Sequence, residues 1–126
     1  AFSAGKRVAV PMLEKNSPIL KHSFIQEHFE FTNGHWNVPV PVGIEVGLLS
    51  ADELALTEKD IIIVPLVAFD KMKHRLGYGK GFYDRFLHHE KALKIGIAFS
   101  VQEVESIPYE QHDEVLSLII TENFQY

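Results

Sequence analysis

The chain has 126 residues, 46% of them hydrophobic and 23% charged, a composition that suits one folded domain and excludes an intrinsically disordered segment. Its net charge of −5 supplies no global attraction for nucleic acid or an anionic membrane surface, so any anion site must be local. The lack of cysteine excludes a disulfide framework and a thiolate metal site and fits a reducing compartment.

Residues 1–7 show no basic segment followed by an apolar one, so they do not read as a secretory signal. Residues 7–11 predict a strand and residues 21–25 a further, edge strand. Residues 33–43 predict a loop, because Asn33-Gly34 favours a turn and Pro39 and Pro41 remove backbone donors. The single tryptophan, Trp36, lies in that loop, where an indole either caps a core or covers a flat ligand. Ser50 with Glu53 three residues on has the spacing of a capping box and predicts a short helix.

The β-branched run 61–64 predicts a strand buried on both faces. The longest apolar run, residues 61–67, contains Pro65 and falls short of the roughly 20 residues that span a bilayer. Residues 81–90 place Phe82, Phe86 and Leu87 or His89 at helical spacing. Strands are predicted at 93–99 and 118–121, with a short helix at 101–107 between them. Alternating strands and helices predict an α/β fold with a parallel, helix-covered sheet, drawn as one domain over residues 1–126.

Five of the 12 basic residues, Lys71, Lys73, Arg75, Lys80 and Arg85, fall within fifteen positions of this acidic chain. Gly77, Gly79 and Gly81 alternate through the same stretch just ahead of the predicted helix, where backbone N–H groups can approach a phosphate. Lys80 and Arg75 add a point charge and a forked one. The spacing matches neither the P-loop nor the dinucleotide fingerprint, since Phe82 stands where a third glycine would. On spacing alone, a phosphate cradle and a flexible connection with solvated lysines are both open.

Asp84, one turn into the helix, suits either Mg²⁺ beside phosphates or the helix dipole, and Asp70 suits either Mg²⁺ or a turn. His112-Asp113 lies in a loop at one end of the predicted sheet, but adjacency does not make a catalytic pair, and no motif places a Ser or Cys nucleophile. His88 and His89, neighbours on a helix, point apart.

The blocks Ile61-Ile62-Ile63-Val64-Pro65-Leu66-Val67-Ala68-Phe69-Asp70 and Arg75-Leu76-Gly77-Tyr78-Gly79-Lys80-Gly81-Phe82-Tyr83-Asp84 closely resemble the signature of the 5-formyltetrahydrofolate cyclo-ligase (methenyltetrahydrofolate synthetase) family. Residues 5–11, 36–41, 94–99 and 112–113 look like further family blocks in the family's order, so the resemblance covers nearly the whole chain. It implies a three-layer α/β/α sandwich with a mainly parallel central sheet, and a chain corresponding to the C-terminal two-thirds of a family member. The implied reaction is ATP-dependent cyclisation of 5-formyltetrahydrofolate to 5,10-methenyltetrahydrofolate, with phosphorylation of the formyl oxygen and release of ADP and phosphate.

Carried over by position, the resemblance assigns Arg75, Leu76, Gly77, Tyr78, Gly79, Lys80, Gly81, Phe82 and Tyr83 to ATP, with Lys80, Arg75 and Tyr83 as catalytic groups. It assigns Trp36, Tyr78, Gly79, Lys80, Gly81 and Phe82 to the folate, and Asp84 and Asp113 to Mg²⁺. Many members carry arginine at the position of Tyr78, tyrosine at that of Phe82 and aspartate at that of Ser117, so contact details differ there. The expected protein is a cytoplasmic monomer with ATP and Mg²⁺ and no nucleic-acid or membrane partner. The alternative reading is a folate- or nucleotide-binding relative without catalysis, because part of the family's site lies in an N-terminal region these residues do not include. A sugar-phosphate isomerase or transferase would use the same cationic loop without ATP.

Overall fold

Three antiparallel strand pairs and a parallel sheet make up this computed structural model, which describes residues 1–14, 16–33, 39–42 and 47–126. The described residues group into two compact units, Ala1–Ala55 and Leu56–Tyr126.

In the first unit, β1 (Val8–Leu13) pairs antiparallel with β2 (Leu20–Ile25), running from Val8 opposite Ile25 to Leu13 opposite Leu20. The second strand therefore lies in a hairpin with its neighbour and not at the edge of the parallel sheet. A second antiparallel ladder joins β3 (Phe31–Asn33) to β4 (Pro39–Pro41), where the sequence predicts only a loop. Prolines are tolerated because a strand with one neighbour needs donors on one side only. Residues 34–38, and with them Trp36, lie outside the described residues. The predicted capping box forms: the Glu53 N–H donates to Ser50 Oγ at 3.4 Å and the Ser50 N–H donates to Glu53 Oε2 at 2.7 Å, opening α1 (Ala51–Leu54).

In the second unit, β5 (Ile61–Val64), β8 (Leu93–Ile97) and β9 (Leu118–Ile120) form a parallel sheet in that order. Ile61 lies opposite Leu93, and Ile95 lies opposite Leu118. The crossover from β5 to β8 carries a hairpin of β6 (Ala68–Phe69) and β7 (Arg75–Leu76), then α2 (Phe82–Leu87). The α/β class and the parallel sheet are as the sequence predicts.

Period-2 alternation puts Ile62, Val64, Gly96 and Ile119 on the sheet face that meets the core with Phe69, Phe86, Leu87 and Leu116. On the opposite face Ile95 is buried, but the burial expected for residues 61–64 on both faces is not met: Ile61 is 61% exposed and Ile63 53%, with Ile97 at 61%. The predicted helix over 81–90 shortens to six residues, since His88 turns extended and His89 takes φ 68°. The helix predicted at 101–107 reduces to one 3₁₀ turn, Ser100–Gln102. Tertiary pairing takes over there, as the Val104 N–H donates to the Phe69 carbonyl at 2.9 Å and the Ile107 N–H to Asp70 Oδ2 at 3.0 Å.

Candidate functional site

The basic, glycine-rich stretch joins β7 to α2 within the second unit. Gly79 and Gly81 take φ 76° and 64°, left-handed conformations that a side chain would strain. The loop so formed exposes Tyr78, Gly79 and Lys80, with Tyr78 86% exposed. Arg85 folds back along it, its Nη2 donating to the Lys80 carbonyl at 2.9 Å and its guanidinium 5.6 Å from the centre of the Phe82 ring.

Arg75 begins the stretch and is placed differently from Lys80. Its side chain is buried, with Nη2 donating to Asp84 Oδ1 at 2.6 Å. The guanidinium sits 6.0 Å from the centre of the Tyr83 ring, and its Nη1 lies 2.9 Å from where a Cβ on Gly77 would stand. Gly77 thus makes room for the arginine. The buried Arg75 Nε has no hydrogen-bond partner among the described residues. Burial pushes the Tyr83 hydroxyl pKa up, with the Arg75 charge opposing that shift in part.

Asp84 is therefore the counter-ion of Arg75, a contact that adjacent charge at one helix turn did not reveal in sequence. Asp113 closes its own turn: the Glu110 N–H donates to its Oδ2 at 2.8 Å, and the Asp113 N–H donates to the Glu110 carbonyl at 2.9 Å. His112 Nε2 stands 3.8 Å from Asp113 Oδ1 on the surface. No group of three or more His, Asp or Glu side chains able to hold a metal forms among the described residues. A magnesium ion generally takes one or two carboxylates plus phosphate oxygens and keeps several waters; here the Asp84 carboxylate is held by Arg75 and that of Asp113 by the Glu110 N–H.

Asp70 proves to be a turn residue. The residue is 3% exposed, and its carboxylate accepts from the Met72 and His74 N–H groups, from the Ile107 N–H and from His74 Nδ1. These bonds occupy both oxygens. Elsewhere Glu114 accepts from Lys94 Nζ at 2.6 Å and lies 3.2 Å from His88 Nδ1, which accounts for His88 as a surface group. A cavity of about 360 Å³, mainly apolar, opens beyond the carboxyl ends of β8 and β9 between Ile97, Phe99, Gln102 and Glu122, and no sequence motif marked it.

The sequence profile of the 5-formyltetrahydrofolate cyclo-ligase family matches residues 1–122. The chain belongs to that family. An Escherichia coli 5-formyltetrahydrofolate cyclo-ligase is 38% identical over 127 aligned positions, covering 95% of this chain and 65% of its own length. A Haemophilus influenzae 5-formyltetrahydrofolate cyclo-ligase reaches 48% identity over 63 positions, covering 48% of this chain and 34% of its own length. The solved 5,10-methenyltetrahydrofolate synthetase of Aquifex aeolicus superposes with a TM-score of 0.72 at 30% identity, over 95% of this chain and 57% of that one. The family resemblance carried by residues 61–70 and 75–84 is borne out, and the α/β fold with it. The chain spans only about two-thirds of the E. coli relative's length, 65%.

Proposed function

We propose that this family member takes part in the ATP-dependent cyclisation of 5-formyltetrahydrofolate to 5,10-methenyltetrahydrofolate, releasing ADP and phosphate. The observation that carries the reading is the stretch of residues 75–84 from β7 through the glycine loop into α2, with left-handed Gly79 and Gly81 and an exposed Lys80, in a chain the family profile matches over residues 1–122.

Phosphoryl transfer asks a protein for positioning and charge more than for covalent chemistry. In this reading the loop's backbone N–H groups and Lys80 hold the ATP phosphates, and Lys80 neutralises charge as it develops on the transferring group. Arg75 and Tyr83 complete the catalytic set, and Leu76, Gly77, Tyr78, Gly79, Gly81 and Phe82 line the nucleotide. Tyr78, Gly79, Lys80, Gly81 and Phe82 also face the folate, whose formyl oxygen is the acceptor. Asp84 and Asp113 are the residues that would hold Mg²⁺, and the ion would supply charge neutralisation. A cytoplasmic, monomeric protein is the accompanying expectation. No helix among the described residues is long and apolar enough to cross a membrane.

The experiment is incubation of the protein with 5-formyltetrahydrofolate, ATP and Mg²⁺, followed by methenyl absorbance. An ATP-dependent rise is expected. Ligand binding with no turnover would select a binding protein, and turnover without ATP would discard the reading.

A further inference from the structure

We propose that Asp70 is a positioning residue, the buried clamp that sets Arg75 in register with the 107–113 loop, a role that rests on the nucleotide-site reading above. Asp70 directly follows β6, and Arg75 begins β7 across the hairpin, with Phe69 opposite Arg75. The intervening turn is tight: the Lys73 N–H donates to the Asp70 carbonyl at 2.9 Å, and Lys73 takes φ 67°. Asp70 Oδ1 accepts the Met72 N–H at 2.9 Å and the His74 N–H at 3.1 Å, so one oxygen fixes the backbone directly ahead of Arg75.

The other oxygen reaches a different part of the chain. Asp70 Oδ2 accepts the Ile107 N–H at 3.0 Å and lies 2.9 Å from His74 Nδ1. The His74 ring stacks on Tyr109, centroids 4.4 Å apart and planes 14° from parallel. The carboxylate and the His74–Tyr109 stack therefore join the residues before Arg75 to the loop that carries Asp113. Burial alone would raise the Asp70 pKa, but these hydrogen bonds outweigh it and hold the carboxyl below its usual range. The clamp is thus charged at neutral pH. Asn in its place offers one acceptor and one donor, and the donor faces either the Ile107 N–H or the turn N–H groups. Arg75 is buried and paired with Asp84, so a shift of the strand that carries it disturbs that pair.

The test is a double-mutant cycle on ATP affinity, measured by calorimetry on the whole chain with Mg²⁺ for wild type, Asp70→Asn, Arg75→Gln and the pair. Asp70→Asn is expected to weaken ATP binding about tenfold when Arg75 is present and by about twofold or less when it is Gln. Equal losses in both backgrounds, or no loss in either, overturn the proposal, because a general loss of structure does not depend on residue 75. Should Asp70→Asn fail to fold by circular dichroism, His74→Phe keeps a ring for Tyr109 while removing Nδ1 and enters the same cycle under the same criteria. A wild-type chain that binds no ATP overturns the nucleotide-site reading and this inference together, whereas binding that ignores residue 70 overturns the inference alone.

Discussion

Lys80 and Arg75 stand five residues apart in one stretch, yet their surroundings differ: Lys80 is exposed, and Arg75 is buried against Asp84 and Tyr83. Lys80→Ala is expected to lower turnover by about a hundredfold or more, the scale of losing a charge that stabilises a transition state. His88→Ala, removing a half-exposed partner of Glu114, is expected to stay within about twofold. Steady-state kinetics on both variants checks the loop assignment, and equal losses would reject it. Gly77→Ala tests the arginine's seat, since the new methyl group would stand 2.9 Å from Nη1. A cost of about 1–3 kcal/mol in urea unfolding is expected. Positive charge and glycine spacing made the loop legible in sequence. The Arg75–Asp84 pair and the Asp70 clamp were not, because which carboxylate turns inward depends on contacts up to 37 residues apart, such as Ile107 with Asp70.

Elements with strong local signals were legible. The capping box at Ser50 and Glu53 formed, as did β5, β8 and β9, because β-branched runs and serine caps carry their own conformational preference. The two-residue strands β6 and β7 and the three-residue β3 and β4 are too short for any periodicity to show, and the 101–107 segment exchanged helix for pairing with Phe69 and Asp70. Within β8, Gly96 leaves space filled by Leu116 and Leu66, whose methyl carbons lie 2.7 Å from where a Cβ would stand. Gly96→Ala should destabilise the sheet by about 1–3 kcal/mol in denaturant titration. In β2, burial lowers the His22 pKa from 6.5 to about 4. The unfolded chain then binds more protons between those values, so stability present above pH 6.5 is lost as pH falls towards 4. About 2 kcal/mol should disappear between pH 7 and pH 5, and His22→Gln should flatten that part of the urea-midpoint profile. An unchanged slope would show that His22 is not the group responsible.

At the scale of the whole molecule, a parallel sheet with Ile61, Ile63 and Ile97 exposed is unusual, because such sheets are commonly covered on both faces. The 126-residue chain is expected to bind a hydrophobic fluorescent dye, and Ile63→Glu to reduce that signal without lowering the unfolding midpoint. Unchanged dye binding would place the responsive surface elsewhere. In the proposed nucleotide site, the ion pair of Arg75 with Asp84 would link two ligands. A phosphate that draws Arg75 away would leave a carboxylate open to a cation, and a cation on Asp84 would leave the guanidinium open to phosphate. Thermodynamic reciprocity then requires that ATP tighten Mg²⁺ binding by the same factor that Mg²⁺ tightens ATP binding, and Asp84→Asn is expected to abolish much of this mutual gain.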